Sequence, residues 1–348
     1  MNQFDFTKEI NKEALTQCAN DLRGGKLVVF PTETVYGIGA NALDEKAVAS
    51  IFQAKGRPHD NPLIVHVSDT AMLHEMVPYV SPIEKKLIDT FFPGPMTIIL
   101  PKSEKIPSMV TCGLDTVGIR MPSNEIARML IRQANVPVAA PSANISGRPS
   151  GTRLQDIKRE LQDNVADMID GGETDIGVES TVVKVQGDEV IILRPGKITP
   201  QDIEKLGLKV VLDKHTFEEA KIEEKVESPG MKHRHYAPTT ETVLCVGSTP
   251  QKRREIMQAF IASHPEQKIG VIGVEENREY FQTFPYIAVG KKDDLDGISH
   301  HIFTALRQVD TLEVDVCLVE GVEKQGIGIA IMNRLLRACR YHVISIEE

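Results

Sequence analysis

The stretch Lys26–Ala42 has the sequence KLVVFPTETVYGIGANA and joins an apolar run to a segment with two glycines and several hydroxyls. Its first part, Lys26–Phe30, is short and apolar, which is typical of a buried strand. Gly37 and Gly39 lack the third glycine of a dinucleotide-binding fingerprint. Because open α/β sheets bind ligands where strands end, we predict that Pro31–Ala42 is either a ligand-binding loop or a tight turn before a helix.

Apolar spacing on both sides of this stretch predicts an α/β domain. Helical spacing is found at residues 10–22, 45–54, 82–91 and 124–133, and strand-like runs at 63–67, 96–100, 117–120, 136–140, 166–169, 181–185 and 189–193. Thr199 and Pro200 have the capping and first-turn residues of a short helix. Strands outnumber helices, so we expect a sheet with some antiparallel pairing.

The region from Lys214 to Pro238 is charged and has little apolar periodicity, so we predict a linker there. Long connections are often functional. Beyond it, strands and helices alternate regularly, which predicts a smaller Rossmann-like parallel sheet. We therefore divide the chain into a first domain at 1–212, a linker at 213–240 and a second domain at 241–348.

Composition narrows the functional classes. The chain has 348 residues, which favours two domains, and its net charge of -9 makes it a poor general binder of polyanions. Its five cysteines form no C-x-x-C pair, which argues against a disulfide framework or a zinc site and favours reduced thiols in a cytoplasmic protein. The amino terminus lacks the apolar region of a secretory signal, and no apolar run is long enough to span a membrane.

Two basic residues, Lys55 and Arg57, end the second predicted helix and bracket a glycine. They are either charges that cap the helix dipole or a clamp for a polyphosphate, because lysine offers a point charge and arginine a planar fork. Asn61 adds an amide in the proline-stiffened loop that follows. His66 lies in a predicted strand and is either a core residue or a ligand.

A single arginine, Arg120, ends an apolar strand-like run that begins near Thr116. A buried arginine without a partner is costly, so Arg120 needs an anion. That anion is either a structural Asp or Glu or the carboxylate of a substrate, and this segment favours neither.

Small polar residues crowd the loop after the strand that ends at Ala140. They include Ser142, Asn144 and Ser150. Such a loop is either ordinary surface or a phosphate cradle built from backbone N–H groups. Further polar residues at strand ends are Ser180 and Arg194, and Tyr236 lies in a basic and aromatic part of the linker.

Together these segments resemble the YrdC-like threonylcarbamoyl-AMP synthases, in their two-domain branch. The resemblance rests on PTETVYG, Lys55-x-Arg57, NPLIVH, Ser142-x-Asn144, STVV, LRPG and HYAP, in the family's order and spacing. It covers nearly the whole chain. It implies a twisted mixed α/β sheet with a deep cavity, a smaller Rossmann-like domain, and a linker that crosses the cavity mouth.

The resemblance also implies a reaction and its residues. L-Threonine, bicarbonate or CO2, and ATP give threonylcarbamoyl-AMP and pyrophosphate, the first step of threonylcarbamoyladenosine formation in tRNA, with Mg2+ bound through the triphosphate and no protein metal ligands. The residues that the resemblance implies for binding L-threonine are Thr34, His66, Arg120, Ala140 and Ser180. The implied ATP residues are Lys55, Arg57, Asn61, Thr116, Ser142, Ser150, Arg194 and Tyr236. Lys55, Arg57, Ser142 and Asn144 form the family's catalytic tetrad, and the product passes to the tRNA threonylcarbamoyl transferase machinery.

Two other functions compete with the synthase. An RNA-binding module would use a concave basic surface, but the net charge and the 5% aromatic content oppose it. Direct tRNA binding is therefore not required by the sequence. A carbamoyl-adenylate maturation factor would carry additional metal-binding segments, which this sequence lacks.

Overall fold

The structure is a computed structural model that describes residues 1–219, 227–230 and 235–345. The chain forms two compact units. The first contains Met1–Ser146 and Ser150–Lys232, and the second contains Gly147–Pro149 and His233–Glu348. Two parts of the predicted linker, 220–226 and 231–234, lie outside the described residues.

The first unit is built around a mixed sheet. Its helices are α1 Lys12–Arg23, α2 Glu45–Lys55, α3 Thr70–Met76, α4 Pro82–Phe91, α5 Ser108–Thr111, α6 Glu125–Ala134, α7 Leu154–Leu161 and α8 Pro200–Glu204. Its strands are β1 Asn2–Asp5, β2 Val28–Phe30, β3 Gly37–Asn41, β4 Ile64–His66, β5 Met96–Pro101, β6 Thr116–Arg120, β7 Val138–Ala139, β8 Asp167–Asp170, β9 Thr181–Gln186, β10 Glu189–Arg194 and β11 Lys209–Leu212.

The eleven described strands of this unit form one sheet in the order β1-β8-β2-β3-β7-β4-β6-β5-β9-β10-β11. Parallel pairs such as β4 with β6 occur beside antiparallel pairs such as β5 with β6. The predicted mixed sheet is therefore confirmed. The strands β1 and β11 and the helices α3, α5 and α7 were not predicted, because they are short or weakly periodic.

The prediction for the glycine segment is corrected in one respect. Gly37–Asn41 is not loop but strand β3, antiparallel to β2, so only residues 31–36 connect the two strands. A Cβ on Gly39 would lie 2.7 Å from Phe30 Cε1 and 2.8 Å from Val138 Cγ1. Glycine is needed here because neighbouring side chains approach the strand closely.

Strand β2 is apolar throughout because both of its faces are buried. Val29 lies in one hydrophobic cluster, whereas Val28 and Phe30 lie in another on the opposite face. A strand covered on both sides is expected to be a continuous apolar run. This burial fixes the end of β2, and with it the position of the loop that follows.

The second unit is a parallel α/β sheet. Its elements are β12 Glu241–Val246, α9 Pro250–Ser263, β13 Ile269–Gly273, β14 Tyr286–Ala288, α10 Leu295–Val309, β15 Val316–Glu320, α11 Gly328–Ala338 and β16 Val343–Ser345. The strand order is β14-β13-β15-β12-β16, and each adjacent pair is parallel. The predicted Rossmann-like sheet is confirmed.

Two general features concern the whole described chain. All five cysteines are free, and four of them are buried. Among the described helices, none has the length and apolar character needed to cross a membrane.

Candidate active site

The Lys55 ammonium joins two distant motifs of the first unit. Lys55 is the last residue of α2, and its Nζ donates hydrogen bonds to the backbone carbonyls of Ser142, at 2.5 Å, and of Asn144. Ser142 Oγ donates to Asn144 Oδ1 at 2.6 Å. The side chain of Lys55 is almost fully buried. Lys55 is therefore not an exposed cap of its helix. Its buried ammonium instead binds the backbone of the loop after β7.

Arg57 organises a different loop. Gly56 ends α2 in the left-handed conformation, with φ at 58°, and turns the chain so that Arg57 faces inward. Arg57 Nε donates to the carbonyl of Asn61 at 3.0 Å, and Nη2 donates to that of Pro62 at 2.8 Å. The structure thus brings three members of the predicted tetrad into one bonded cluster, whereas Arg57 shapes its own loop.

The amide of Asn61 is buried and unsatisfied. Among the described residues, neither its Oδ1 nor its Nδ2 has a hydrogen-bond partner. Buried polar groups are nearly always hydrogen-bonded in folded proteins. An amide in this state is suited to hold a polar ligand.

His66 and Arg120 lie side by side at the ends of β4 and β6. They are register partners in parallel strands, so their side chains lie on the same face of the sheet. Burial, and then the charge of Arg120, lower the pKa of His66 to about 3. His66 is therefore a neutral imidazole at physiological pH, and within the described residues its Nδ1 has no hydrogen-bond partner.

The anion that Arg120 requires is Glu33, in the loop after β2. Glu33 Oε1 lies 2.7 Å from Arg120 Nη2, and both side chains are 5% exposed. The backbone carbonyls of Glu33 and Thr34 accept hydrogen bonds from Ile176 N and Gly177 N. The sequence left open a structural acid or a substrate carboxylate, and the structure supplies the acid.

Thr34, which follows Glu33 in the chain, and Ala140, which follows β7, are both buried. Thr34 Oγ1 lies 2.9 Å from Thr32 Oγ1, which in turn donates to the carbonyl of Val35 at 2.6 Å. Ala140 N donates to the carbonyl of Ile64 in β4 at 3.0 Å. Both residues predicted to bind threonine are therefore held in place by hydrogen bonds within the protein.

Ser180 and Arg194 meet where β9 begins and β10 ends. Arg194 Nη2 donates to Ser180 Oγ at 3.1 Å and to the Ser180 carbonyl at 3.0 Å. Ser180 Oγ is also 2.8 Å from Thr97 Oγ1 in β5. Thr97 was not predicted, because nothing in its local sequence distinguishes it from a strand residue.

Linker residues contact two of the predicted ATP residues. Thr116 Oγ1 donates to Glu227 Oε1 at 3.2 Å, and the same carboxylate pairs with Lys184 at 2.6 Å. Arg194 Nη1 donates weakly to the carbonyl of Pro229, at 3.5 Å. Residues 227–230, which fall in the predicted linker, therefore contact Thr116, Lys184 and Arg194 of the first unit.

Two further predicted residues have partners that the sequence did not suggest. Ser150 Oγ donates to Glu179 Oε1 at 2.6 Å, and both residues are buried. Tyr236 belongs to the second unit, where its ring stacks 5.1 Å from that of Phe303 and lies 5.7 Å from the Arg334 guanidinium. Tyr236 is therefore a packed residue of that unit.

Metal-ligating side chains do not cluster in the described part of the chain. No group of three or more His, Cys, Asp or Glu side chains there has the arrangement to hold a metal ion. The buried polar residues of the first unit include cations, hydroxyls, amides and carboxylates such as Glu33 and Glu179.

Two protein-family models match the chain. A family model described as "Telomere recombination" matches residues 20–196, and a second, described as "Threonylcarbamoyl-AMP synthase, C-terminal domain", matches residues 198–339.

Two full-length relatives and one solved structure agree with these matches. The threonylcarbamoyl-AMP synthase of Pyrococcus abyssi is 44% identical over 94% of each chain. That of Bacillus subtilis is 40% identical over 98% of this chain and 97% of the relative. The crystal structure of P. abyssi Sua5 complexed with L-threonine superposes with a TM-score of 0.93 at 41% identity, covering 100% of both chains. The chain belongs to the threonylcarbamoyl-AMP synthase family.

Proposed function

We propose that this chain joins L-threonine, bicarbonate or CO2, and ATP into threonylcarbamoyl-AMP and releases pyrophosphate. The observation that supports this most is the cluster of Lys55, Ser142 and Asn144, in which one buried ammonium binds two carbonyls of a polar loop. That cluster lies in the same unit as the buried Arg120 and the neutral His66. A pocket that binds both an amino acid and a nucleoside triphosphate needs both the Lys55 cluster and the pair of Arg120 and His66.

The proposed reaction has two steps. The threonine amine adds to the carbon of CO2 with loss of a proton, or to bicarbonate with loss of water, and gives an N-carboxylate. A carboxylate oxygen then forms a bond to the α-phosphorus of ATP, the bond to the β-phosphate oxygen breaks, and pyrophosphate leaves. Transfers of this kind depend on positioning and charge neutralisation, so no covalent nucleophile is required.

We assign the threonine subsite to Thr34, His66, Arg120, Ala140 and Ser180. The packed face of β4 and β6 supports this, because His66 and Arg120 are register partners there. A neutral His66 can exchange hydrogen bonds with the polar groups of threonine without adding charge. Arg120 has a planar fork for the carboxylate.

We assign the ATP subsite to Lys55, Arg57, Asn61, Thr116, Ser142, Ser150, Arg194 and Tyr236, and catalysis to the tetrad of Lys55, Arg57, Ser142 and Asn144. The unsatisfied amide of Asn61 supports this assignment. Mg2+ enters bound to the triphosphate and shares its charge. Residues 213–240 are proposed to be the linker that covers the site.

The wider setting follows from the same activity. The product is proposed to pass to the tRNA threonylcarbamoyl transferase machinery, for the first step of threonylcarbamoyladenosine formation. The free, mostly buried cysteines support a reducing, cytoplasmic setting. Similarity over nearly the full length of proteins with the synthase name favours this function over an RNA-binding module or a maturation factor.

The deciding experiment measures pyrophosphate release from ATP with threonine and bicarbonate supplied or omitted. Release should require both. Serine should react more slowly, because the contact with one methyl group is worth only about 1–3 kcal/mol. Pyrophosphate release that is indifferent to threonine would refute the proposed function.

A further inference from the structure

The ion pair between Glu33 and Arg120 is buried but incompletely satisfied. The charged atoms approach to 2.7 Å, and each side chain is 5% exposed. Beyond this contact, within the described residues, neither Glu33 oxygen accepts a hydrogen bond, and Arg120 Nε and Nη2 donate none with good geometry. The pair therefore has hydrogen-bonding capacity left on both of its charges.

Such a pair is poorly suited to stabilising the fold by itself. Removing two charges from water is offset only when further hydrogen bonds satisfy the remaining lone pairs and protons. The buried ion pair between Arg253 and Glu320 in the second unit shows the difference. There, Glu320 also accepts hydrogen bonds from Asn277 Nδ2 and from Val274 N. By contrast, the oxygens of Glu33 are left for a partner that is not part of the described protein.

The neighbours of the pair indicate what this partner is. His66 is neutral, and its Nδ1 is also unsatisfied in the described structure. The cluster of Glu33, His66 and Arg120 thus carries one negative and one positive charge. An α-amino acid is a zwitterion with the same two charges close together, so an ion pair can match both ends at once. The threonine subsite proposed above includes a cation, Arg120, for the substrate carboxylate. It includes no anion for the substrate ammonium.

We propose that Glu33 binds the α-ammonium group of the amino-acid substrate while Arg120 binds its carboxylate. This assignment rests on the proposed function and adds a residue to its threonine subsite. Glu33 selects ligands that carry a positively charged nitrogen on the α-carbon, and it holds that nitrogen in place until one proton leaves to solvent and frees the lone pair that forms the bond to carbon. Hydrogen bonds to charged groups are the strong ones in such sites.

The test compares two ligands on the full chain by calorimetry. One is L-threonine, and the other is 2,3-dihydroxybutanoate, in which a hydroxyl replaces the ammonium. The wild type should prefer threonine by about 10- to 100-fold, the range expected for one charge-assisted hydrogen bond. In Glu33→Gln the affinity for threonine should fall by a similar factor, whereas that for the hydroxy acid should change little, so the preference should disappear.

A matched control is Glu84→Gln. Glu84 is also a buried glutamate of the first unit, but it caps α4 by accepting from Ser81 N, which glutamine can also do. The ligand preference should be unchanged in this variant. If Glu33→Gln weakens both ligands equally, Glu33 only orients Arg120, and the proposal is wrong.

Three further results would each be decisive. If the wild type binds L-threonine and 2,3-dihydroxybutanoate with nearly equal affinity, the proposed role of Glu33 is wrong, and no variant is needed to show it. If Glu33→Gln does not fold, Glu33→Asp, which keeps the charge but withdraws it by one methylene, should show a smaller preference than the wild type, and an undiminished one would count against the assignment. A wild type that binds no threonine at all would instead refute the proposed function itself.

Discussion

Lys55 Nζ lies 2.5 Å from the backbone oxygen of Ser142, which is 87 positions away in the chain. The backbone adds to this link, because Ser146 N donates to the Lys55 carbonyl at 2.8 Å. The end of α2 and the loop after β7 are therefore held together by both the side chain and the main chain of one lysine. Any role of Lys55 at phosphate groups depends on this scaffold.

Lys55→Met should lower both stability and activity. Methionine has a similar length but no donor, so the carbonyls of Ser142 and Asn144 lose a buried partner. Unsatisfied buried groups cost about 1–3 kcal/mol each, so urea unfolding should show a loss of about 2–6 kcal/mol for the two carbonyls. Lys46→Met, in the exposed part of the same helix, is the control and should unfold like the wild type. Equal stability of the two variants would show that the Lys55 bonds contribute little.

His66 should make stability fall in acid. Its pKa is about 3 in the folded protein, below its ordinary value of 6.5. The unfolded chain therefore binds a proton below pH 6.5 while the folded protein does not, so stability is full above 6.5 and declines towards pH 3, by about 1.4 kcal/mol per pH unit. Guanidinium unfolding between pH 3 and 7 measures this slope. His66→Gln should reduce it, whereas His74→Gln, at an exposed position, should leave it unchanged.

Asp167 should have the opposite dependence on pH. It is fully buried beside Cys18, and burial raises its pKa above the ordinary value of 3.8. The folded protein then binds the proton more tightly than the unfolded chain does, so this group's contribution to stability is lost as pH rises through its folded pKa. Asp167→Asn should be more stable than the wild type at pH 7, because it removes a carboxylate whose ionisation is disfavoured by burial. Thermal unfolding at pH 3 should show no such gain, and a variant less stable at pH 7 would contradict the expectation.

Gly39→Ala should destabilise the first unit. The added Cβ would meet Phe30 Cε1 at 2.7 Å and Val138 Cγ1 at 2.8 Å, closer than real Cβ contacts. Overpacking of this kind typically costs about 1–3 kcal/mol, which denaturant unfolding would measure. Adding Val138→Ala should recover part of the loss, because it removes one of the two contacts. No recovery would place the strain elsewhere in β3.

Tyr236 should show separate effects of its ring and its hydroxyl. The ring is buried in the second unit against Phe303, so Tyr236→Ala should cost about 3–5 kcal/mol, as aromatic truncations do. Tyr236→Phe keeps the packing and should melt near the wild-type temperature. If the hydroxyl contacts ATP as proposed, the KM for ATP should rise in Tyr236→Phe. An unchanged KM would leave Tyr236 with a packing role alone.

Much of the fold was predictable because local patterns determine local structure. Helix α4 has the predicted bounds, since the Ser81 cap and the proline at the first turn define where it begins. Strand β3 was missed because its glycines resemble a loop in sequence. Only the packed neighbours, Phe30 and Val138, show that this part of the chain is extended and closely approached.

The sequence by itself indicated the α/β class, many of the elements and the family, since these depend on apolar period, caps and ordered motifs. The tertiary structure decided which polar groups meet. It paired Arg120 with Glu33, gave Lys55 two carbonyls, and placed Tyr236 in the second unit. These contacts join residues far apart in the chain, and they depend on strand register and side-chain direction, which only the folded sheet sets.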